Sequence, residues 1–248
     1  MDSGLYAAYT GLLTRIQSLE VTANNLANTS TVGFRSGEQT FAGVMAAATA
    51  EPASQAGDAA NDYGVLGGAI LNLQQGTLQS TGNPLDLALN GAGFFAVQTA
   101  AGTRYTRDGE FTRSESGLLV NATGAPVLDP AGHTITLPVG AVHVGSDGSI
   151  SVTTDGGDAI VGTVGVYSLA PGAQTAEGSN LYRAADGDTP KAMLGSIKQG
   201  ALEGSNEDAV QGTVQLLSIQ RQAEMMQRAL SVFNNDFDKT ATEDLPRV

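Results

Sequence analysis

Two apolar seams of the same spacing stand at opposite ends of this chain. In the first, Leu5, Tyr9, Leu12, Ile16, Leu19, Ala23 and Leu26 follow one another by steps of four and three. In the second, Leu216, Ile219, Ala223, Met226, Leu230, Phe233 and Phe237 alternate three and four. That alternation keeps one stripe of a helix facing a partner helix. Nothing beside either seam offers a partner, so each pairs with a distant segment or with another copy. At about 1.5 Å per residue the two helices are roughly 40 and 45–50 Å long. The expectation is an α+β fold: long N- and C-terminal helices paired as a coiled-coil-like stem, with a central all-β domain. A plain helical hairpin packed on that domain shows the same periodicity. Ser3 is placed to cap the first helix, and Ser205 or Asn206 the second. Glu207 and Asp208 then fall at the positive end of the second helix dipole. A second row, Val210, Val214 and Leu217, widens its apolar face.

Charge separates the middle from the ends. The chain has 248 residues and a formal charge of −13. Residues 45–190 hold 14 Asp+Glu against 4 Lys+Arg, so the middle is a solvated body and the near-neutral ends pack against something. The acid argues against binding a phosphate backbone, so no nucleic-acid partner is expected. Cys is absent, which excludes disulfides, thiolate zinc sites and cysteine catalysis. No apolar run reaches the roughly 20 residues that span a bilayer, so membrane insertion is not expected. No basic-then-apolar leader opens the chain, so any export is expected to proceed without a cleaved signal peptide.

Five stretches follow in order. Residues 1–36 hold the N-terminal helix and a loop rich in Asn. Residues 37–84 are Ala/Gly-rich linker and extended strands. Phe41–Ala50 has room for a helical turn or two, 52–68 reads as loop, and 69–79 alternates as strand. Residues 85–190 form the β domain. There Leu85, Leu87 and Leu89 alternate with Asp86, Ala88 and Asn90 as a half-buried strand. Asn90-Gly91 then reads as a two-residue hairpin turn returning through Phe94, Phe95 and Val97. Turn pairs at Asp108-Gly109, Ser116-Gly117 and Asp147-Gly148 punctuate short β-prone runs. Residues 191–205 form a returning extended limb, and 206–248 the C-terminal helix. Gln75-Gly-x-Leu before the body echoes Gln199-Gly-x-Leu after it, which suggests two limbs lying side by side.

Chemistry is sparse. His133 and His143 lack a ligand partner at metal spacing. Asp155, Asp158, Asp186 and Asp188 sit in Gly-rich turns without the regular repeat of a calcium loop. Gly91-Ala92-Gly93 opens no helix, so it is not a nucleotide cradle. Arg104, Arg107 and Arg113 share one hairpin and are expected to pair with neighbouring acids or a second subunit. No nucleophile, base and oxyanion arrangement emerges. No catalytic residue, metal or cofactor is expected.

The ordered motifs carry a resemblance. Ala23–Arg35 (ANNLANTSTVGFR) resembles the N-terminal signature of the flagellar axial proteins of rod and hook, with Asn24, Asn25, Leu26, Ala27, Asn28, Gly33 and Phe34 as the matching positions. Thr81–Val97, Tyr105–Leu128 and Gln199–Met225 are similar to that family's later motifs, in order. The resemblance implies a non-catalytic subunit of a helical tube, with paired terminal helices inside and the β domain outside. It implies passage unfolded through the flagellar export apparatus, and contact with copies of itself and other rod proteins. The short stretch Met45–Gly68 and the single small β domain resemble a proximal rod position more than a distal rod or hook one. A secreted β-domain adhesin is the reading of another class, but aromatics at 5% with no Trp leave it little material.

Overall fold

The computed structural model describes the backbone of residues 2–43, 64–154, 157–170, 172, 174–185 and 187–243. Side chains are described over 8–38 and over most of 70–232. In order come α1 (Asp2–Ala27), β1 (Gly37–Gly43), β2 (Gly64–Leu71), β3 (Leu78–Ser80), β4 (Leu87–Asn90), β5 (Phe94–Thr99) and β6 (Gly102–Thr106). Then follow β7 (Phe111–Arg113), β8 (Leu119–Asn121), β9 (Ala141–Val144), β10 (Ser149–Thr154), β11 (Gly157–Thr163) and β12 (Val166–Ser168). The last are β13 (Gln174–Gly178), β14 (Leu181–Ala184), β15 (Lys191–Met193), β16 (Ser196–Gln199), β17 (Ala201–Glu203) and α2 (Ala209–Glu243). The chain divides into two compact units.

The first unit holds residues 1–26, 37–70 and 209–248, so it contains both helices and the β1–β2 ribbon. On α2 the seam row turns inward: Ile219, Ala223 and Leu230 are buried, Leu216 and Met226 half-buried. On α1 the buried row is Thr14, Ser18, Thr22 and Asn25. Small side chains on one helix let the larger ones of the other come close. Gly11 faces Met226, whose Cε lies 3.3 Å from where a Cβ would stand. Further along, Arg15 and Ser18 share a groove with Val214, Ser218 and Ile219, so the helices run in opposite directions there. The apolar row of α1 is half-buried at Leu12, Leu19, Ala23 and Leu26 and exposed at Tyr9 and Ile16. Tyr9 is 59% and Ile16 40% exposed.

Three local expectations are corrected here. The N-terminal helix begins at Asp2, which places Ser3 within its first turn and not at its cap. Phe41–Gly43 are strand, paired with β2, and Gly64–Gly68 are strand where a loop was expected. In such a ribbon each strand supplies the other's backbone hydrogen-bond partners. Residues 44–63 lie outside the described ones.

The second unit holds 27–36 and 71–208. Its largest sheet has the order β13-β14-β6-β5-β12-β15. A three-stranded sheet β11-β10-β9 and the pairs β16-β4, β17-β3 and β7-β8 complete it. Its main core gathers Leu87, Leu89, Phe95, Phe111 and Val152 with their neighbours. Phe95 and Phe111 meet edge to face at 5.1 Å, the arrangement aromatic quadrupoles favour.

The strand at Leu87–Asn90 departs from expectation twice. It pairs with β16, Ile197 opposite Leu89, and not with the strand that follows it. Asn90-Gly91 is therefore no hairpin turn; Gly91 and Gly93 both take positive φ and carry the chain across to another sheet. Nor is the strand half-buried. Asp86 and Ala88 are as enclosed as Leu87 and Leu89. Asp86 is tolerated because Thr81 Oγ1 and Asn83 Nδ2 donate to its two oxygens at 2.6 and 2.8 Å.

Candidate functional site: a buried arginine–glutamate node

The limbs bearing the Gln-Gly echo lie side by side. Ala201, Leu202 and Glu203 pair antiparallel with Ser80, Gln79 and Leu78. Both glutamines of the echo serve as backbone surrogates. Gln75 donates from Nε2 to Leu89 O and accepts from Gly91 N, at 2.9 and 3.0 Å. Gln199 Nε2 donates to Pro84 O and Val142 O, both at 2.9 Å.

On β17, Ala201 and Glu203 face inward while Leu202 is half-buried. A fully enclosed carboxylate needs donors. Arg35 Nη2 donates to Glu203 Oε1 at 2.6 Å, and Gly76 N to the same oxygen at 2.9 Å. Arg107 Nη1 donates to Oε2 at 3.1 Å. The second edge of Arg107 reaches Gly91 O at 2.7 Å, and its guanidinium stands 5.4 Å over the Phe94 ring. Both glutamate and Arg35 side chains are wholly enclosed. Two cations share one anion, and burial lowers Arg107 below its ordinary pKa, a shift that Glu203 opposes. Burial likewise pushes Tyr182 up, against the nearby Arg35 and Arg107.

The signature loop runs into this node. Gly33 donates its N–H to Glu203 O at 2.6 Å. Its φ is +66°, and an added Cβ would stand 2.4 Å from the Arg107 carbonyl carbon. Only glycine fits both conditions. Asn28 starts the turn: its Oδ1 accepts from Thr31 Oγ1 at 3.0 Å, and its carbonyl from Thr31 N. Asn25, in the helical unit, clamps Gly37 by donating to its O and accepting from its N, at 3.0 and 2.9 Å. Leu26 and Phe34 are half-buried, and Asn24 and Ala27 exposed.

Asn206 holds three chain segments together. Its Oδ1 accepts from Ser36 N at 2.8 Å, and its Nδ2 donates to Asn72 O and Gln74 O. This corrects the capping expectation. The second helix begins at Ala209, so neither Ser205 nor Asn206 is its cap, and Glu207 and Asp208 precede it. The arginine expectation holds for two of the three, though with partners remote in the chain. Arg104 pairs with Glu177 and Arg107 with Glu203, acids far away in sequence, while Arg113 donates to Leu137 O.

Of the seam residues, Leu12, Leu19, Ala23 and Leu26 are half-buried and Tyr9 and Ile16 exposed. The side chains of Leu5, Phe233 and Phe237 lie outside the described residues. Sequence reasoning missed Arg35, Glu203 and Asn206. One signal was available: Glu203 stands at an inward position of a period-two strand, where an acid is costly unless paired.

Among the described residues no group of acids, histidines or cysteines could hold a metal, and no helix is long and apolar enough to cross a membrane. The node among the described residues is a structural junction within the β body, and the helices carry exposed apolar side chains at Tyr9, Ile16, Val210 and Val214. Residues 5–35 match the family described as "Flagella basal body rod protein", and residues 88–156 the "Flagellar hook protein FlgE/F/G D1 domain". The chain is 35% identical, over the whole of both chains, to the flagellar basal-body rod protein FlgF of Caulobacter vibrioides. It is 34% identical to FlgG of Bacillus subtilis, over 89% of this chain and 91% of the relative. It is 33% identical to FlgF of Escherichia coli, over 93% and 94%. The chain belongs to the family of flagellar basal-body rod proteins, and it is a structural subunit of that rod.

Proposed function

We propose that the chain occupies a proximal position in the rod. There its terminal helices associate with those of neighbouring subunits into a coiled-coil-like inner layer, and the protein has no catalytic role. One observation carries this reading. Both helices carry apolar side chains that face outward, with Tyr9, Ile16, Val210 and Val214 between 40% and 73% exposed. Burying such side chains is worth about 1.5–3 kcal/mol each, so a subunit carrying them unpartnered gains by association. Other copies of the chain and other rod proteins are the partners this implies. The flagellar export apparatus is the proposed route, as the resemblance of Ala23–Arg35 to the axial-protein signature implies. The proximal placement rests on the single small β body and on the match along the whole length of a FlgF relative. A deletion strain tests it. Loss of the gene is expected to leave basal bodies without distal rod or hook subunits. A complete rod lacking only the hook overturns the placement.

A further inference from the structure

Asn90-Gly91 is the one Asn-Gly pair in the chain. Asparagine is thermolabile, and a glycine after it leaves the backbone nitrogen unshielded, because no Cβ stands beside it. The reaction open to such a pair is cyclisation. The Gly91 nitrogen gives its proton to a base and attacks Asn90 Cγ. A nitrogen–carbon bond forms, the side-chain amide leaves as ammonia, and the product is a succinimide. Water then opens the ring to aspartate or isoaspartate. Burial does not prevent this here. Asn90 and Gly91 are both exposed, so water and base reach them.

Hydrogen bonds supply the restraint that burial does not. Asn90 is the last residue of β4 and stands opposite Ser196. Gly91 N–H donates to Gln75 Oε1 at 3.0 Å, and Gly91 O accepts from Arg107 Nη2 at 2.7 Å. Gln75 Nε2 donates in turn to Leu89 O at 2.9 Å, so one side chain fixes the backbone on both sides of Asn90. Ring closure needs the Gly91 nitrogen released from its acceptor and turned toward Asn90 Cγ. That turn takes Asn90 out of the extended backbone of a strand. Both restraints are anchored at Glu203, whose oxygens accept from Gly76 N and from Arg107 Nη1.

We infer that Asn90 is a site of spontaneous deamidation that the carbonyl of Gln75 holds closed. Modification then follows only from local opening of the limb that carries Gln75. Its effect is lasting, since isoaspartate lengthens the backbone where β4 meets Ser196 and the native register cannot re-form.

The test uses the purified full chain, incubated warm at mildly alkaline pH, with conversion of Asn90 read by peptide mass spectrometry. The folded chain is expected to convert at least several-fold more slowly than the chain in guanidinium chloride. Gln75→Leu removes the acceptor and is expected to raise the folded rate several-fold. Gln75→Glu keeps an acceptor for Gly91 N–H but loses the donor to Leu89 O, and is expected to stay near the natural rate. Gln199→Leu, which removes the bonds to Pro84 O and Val142 O, controls for general loosening and is expected to leave Asn90 as it was. Equal rates in Gln75→Leu and Gln75→Glu, or an equal rise in Gln199→Leu, overturn the inference. Hydrogen exchange in the natural chain tests it without any variant. The Gly91 amide is expected to be protected, and exchange at the unfolded rate overturns the inference even if Gln75→Leu fails to fold.

Discussion

Arg35 and Glu203 lie 168 residues apart in the chain, and their side chains meet at 2.6 Å with neither exposed to solvent. The contact ties the end of the signature loop to the last strand of the β body. Glu203 also holds Arg107, so its loss strands two buried cations.

Glu203→Gln is therefore expected to destabilise the β body by about 3–5 kcal/mol, the usual effect of breaking a buried pair from one side. Equilibrium urea unfolding measures it. A loss under about 1 kcal/mol would show that the node is not enclosed as described.

Gly33→Ala attacks the same node through the backbone. The substitution meets both a positive φ and a carbonyl carbon 2.4 Å away. A loss on the order of 2 kcal/mol or more is expected. Thermal unfolding of the purified chain checks it, and an unchanged midpoint contradicts the geometry.

Asn206→Ala removes partners from Ser36 N, Asn72 O and Gln74 O together. Each unsatisfied group costs about 1–3 kcal/mol where water cannot replace the partner. Hydrogen exchange at the Ser36 amide is expected to accelerate strongly. Asn206→Asp keeps the acceptor for Ser36 N and should protect that amide better than alanine does.

Two helix substitutions separate packing within the subunit from packing between subunits. Leu230 is buried and Ile16 is 40% exposed. Leu230→Asp is expected to reduce the helicity of the isolated chain, because a charge enters a packed face at a cost of several kcal/mol. Ile16→Asp is expected to leave that helicity unchanged and abolish motility. A motile Ile16→Asp strain would remove the outward row from the assembly interface.

Asp108 supplies a pH test. Burial foremost, then the charges of Glu110 and Asp86, hold its carboxyl above the usual range, although Glu110 N–H donates to it. A folded pKa raised above the unfolded value of about 3.9 means that the native state binds more protons in that window. Stability from this group falls as pH rises through the folded pKa and stays lowered at neutrality. Asp108→Asn, which keeps an acceptor for Glu110 N, is expected to be more stable than the natural chain at pH 7. The advantage closes below about pH 3.9. An advantage independent of pH contradicts the assignment.

Local patterns in the residues were enough to place the long elements. The heptad steps marked both helices, because 3.6-residue periodicity is written in neighbouring side chains. Asn and Asp turns were legible for the same reason. Asn121, Asp129 and Asp147 each accept the N–H two residues on, a bond that needs no distant partner. The strong Asn90-Gly91 signal misled because a turn's chemistry does not say which strand pairs next. The competing partner, β16, lies more than a hundred residues away. Which face of α1 turns inward was also undetermined by its own residues. Tertiary structure settled it: Thr14, Ser18 and Thr22 are buried, while Tyr9 and Ile16 of the apolar row stay exposed. The node is the clearest case. Arg35 and Glu203 carry no local sign of their partners, and Arg107 reads as half of an ion pair whose acid its neighbours do not name. Contacts between segments remote in the chain, Gly33 N–H on Glu203 O and the pairing of β17 with β3 among them, enclose the three together, where a lone charge is too costly to leave unpaired.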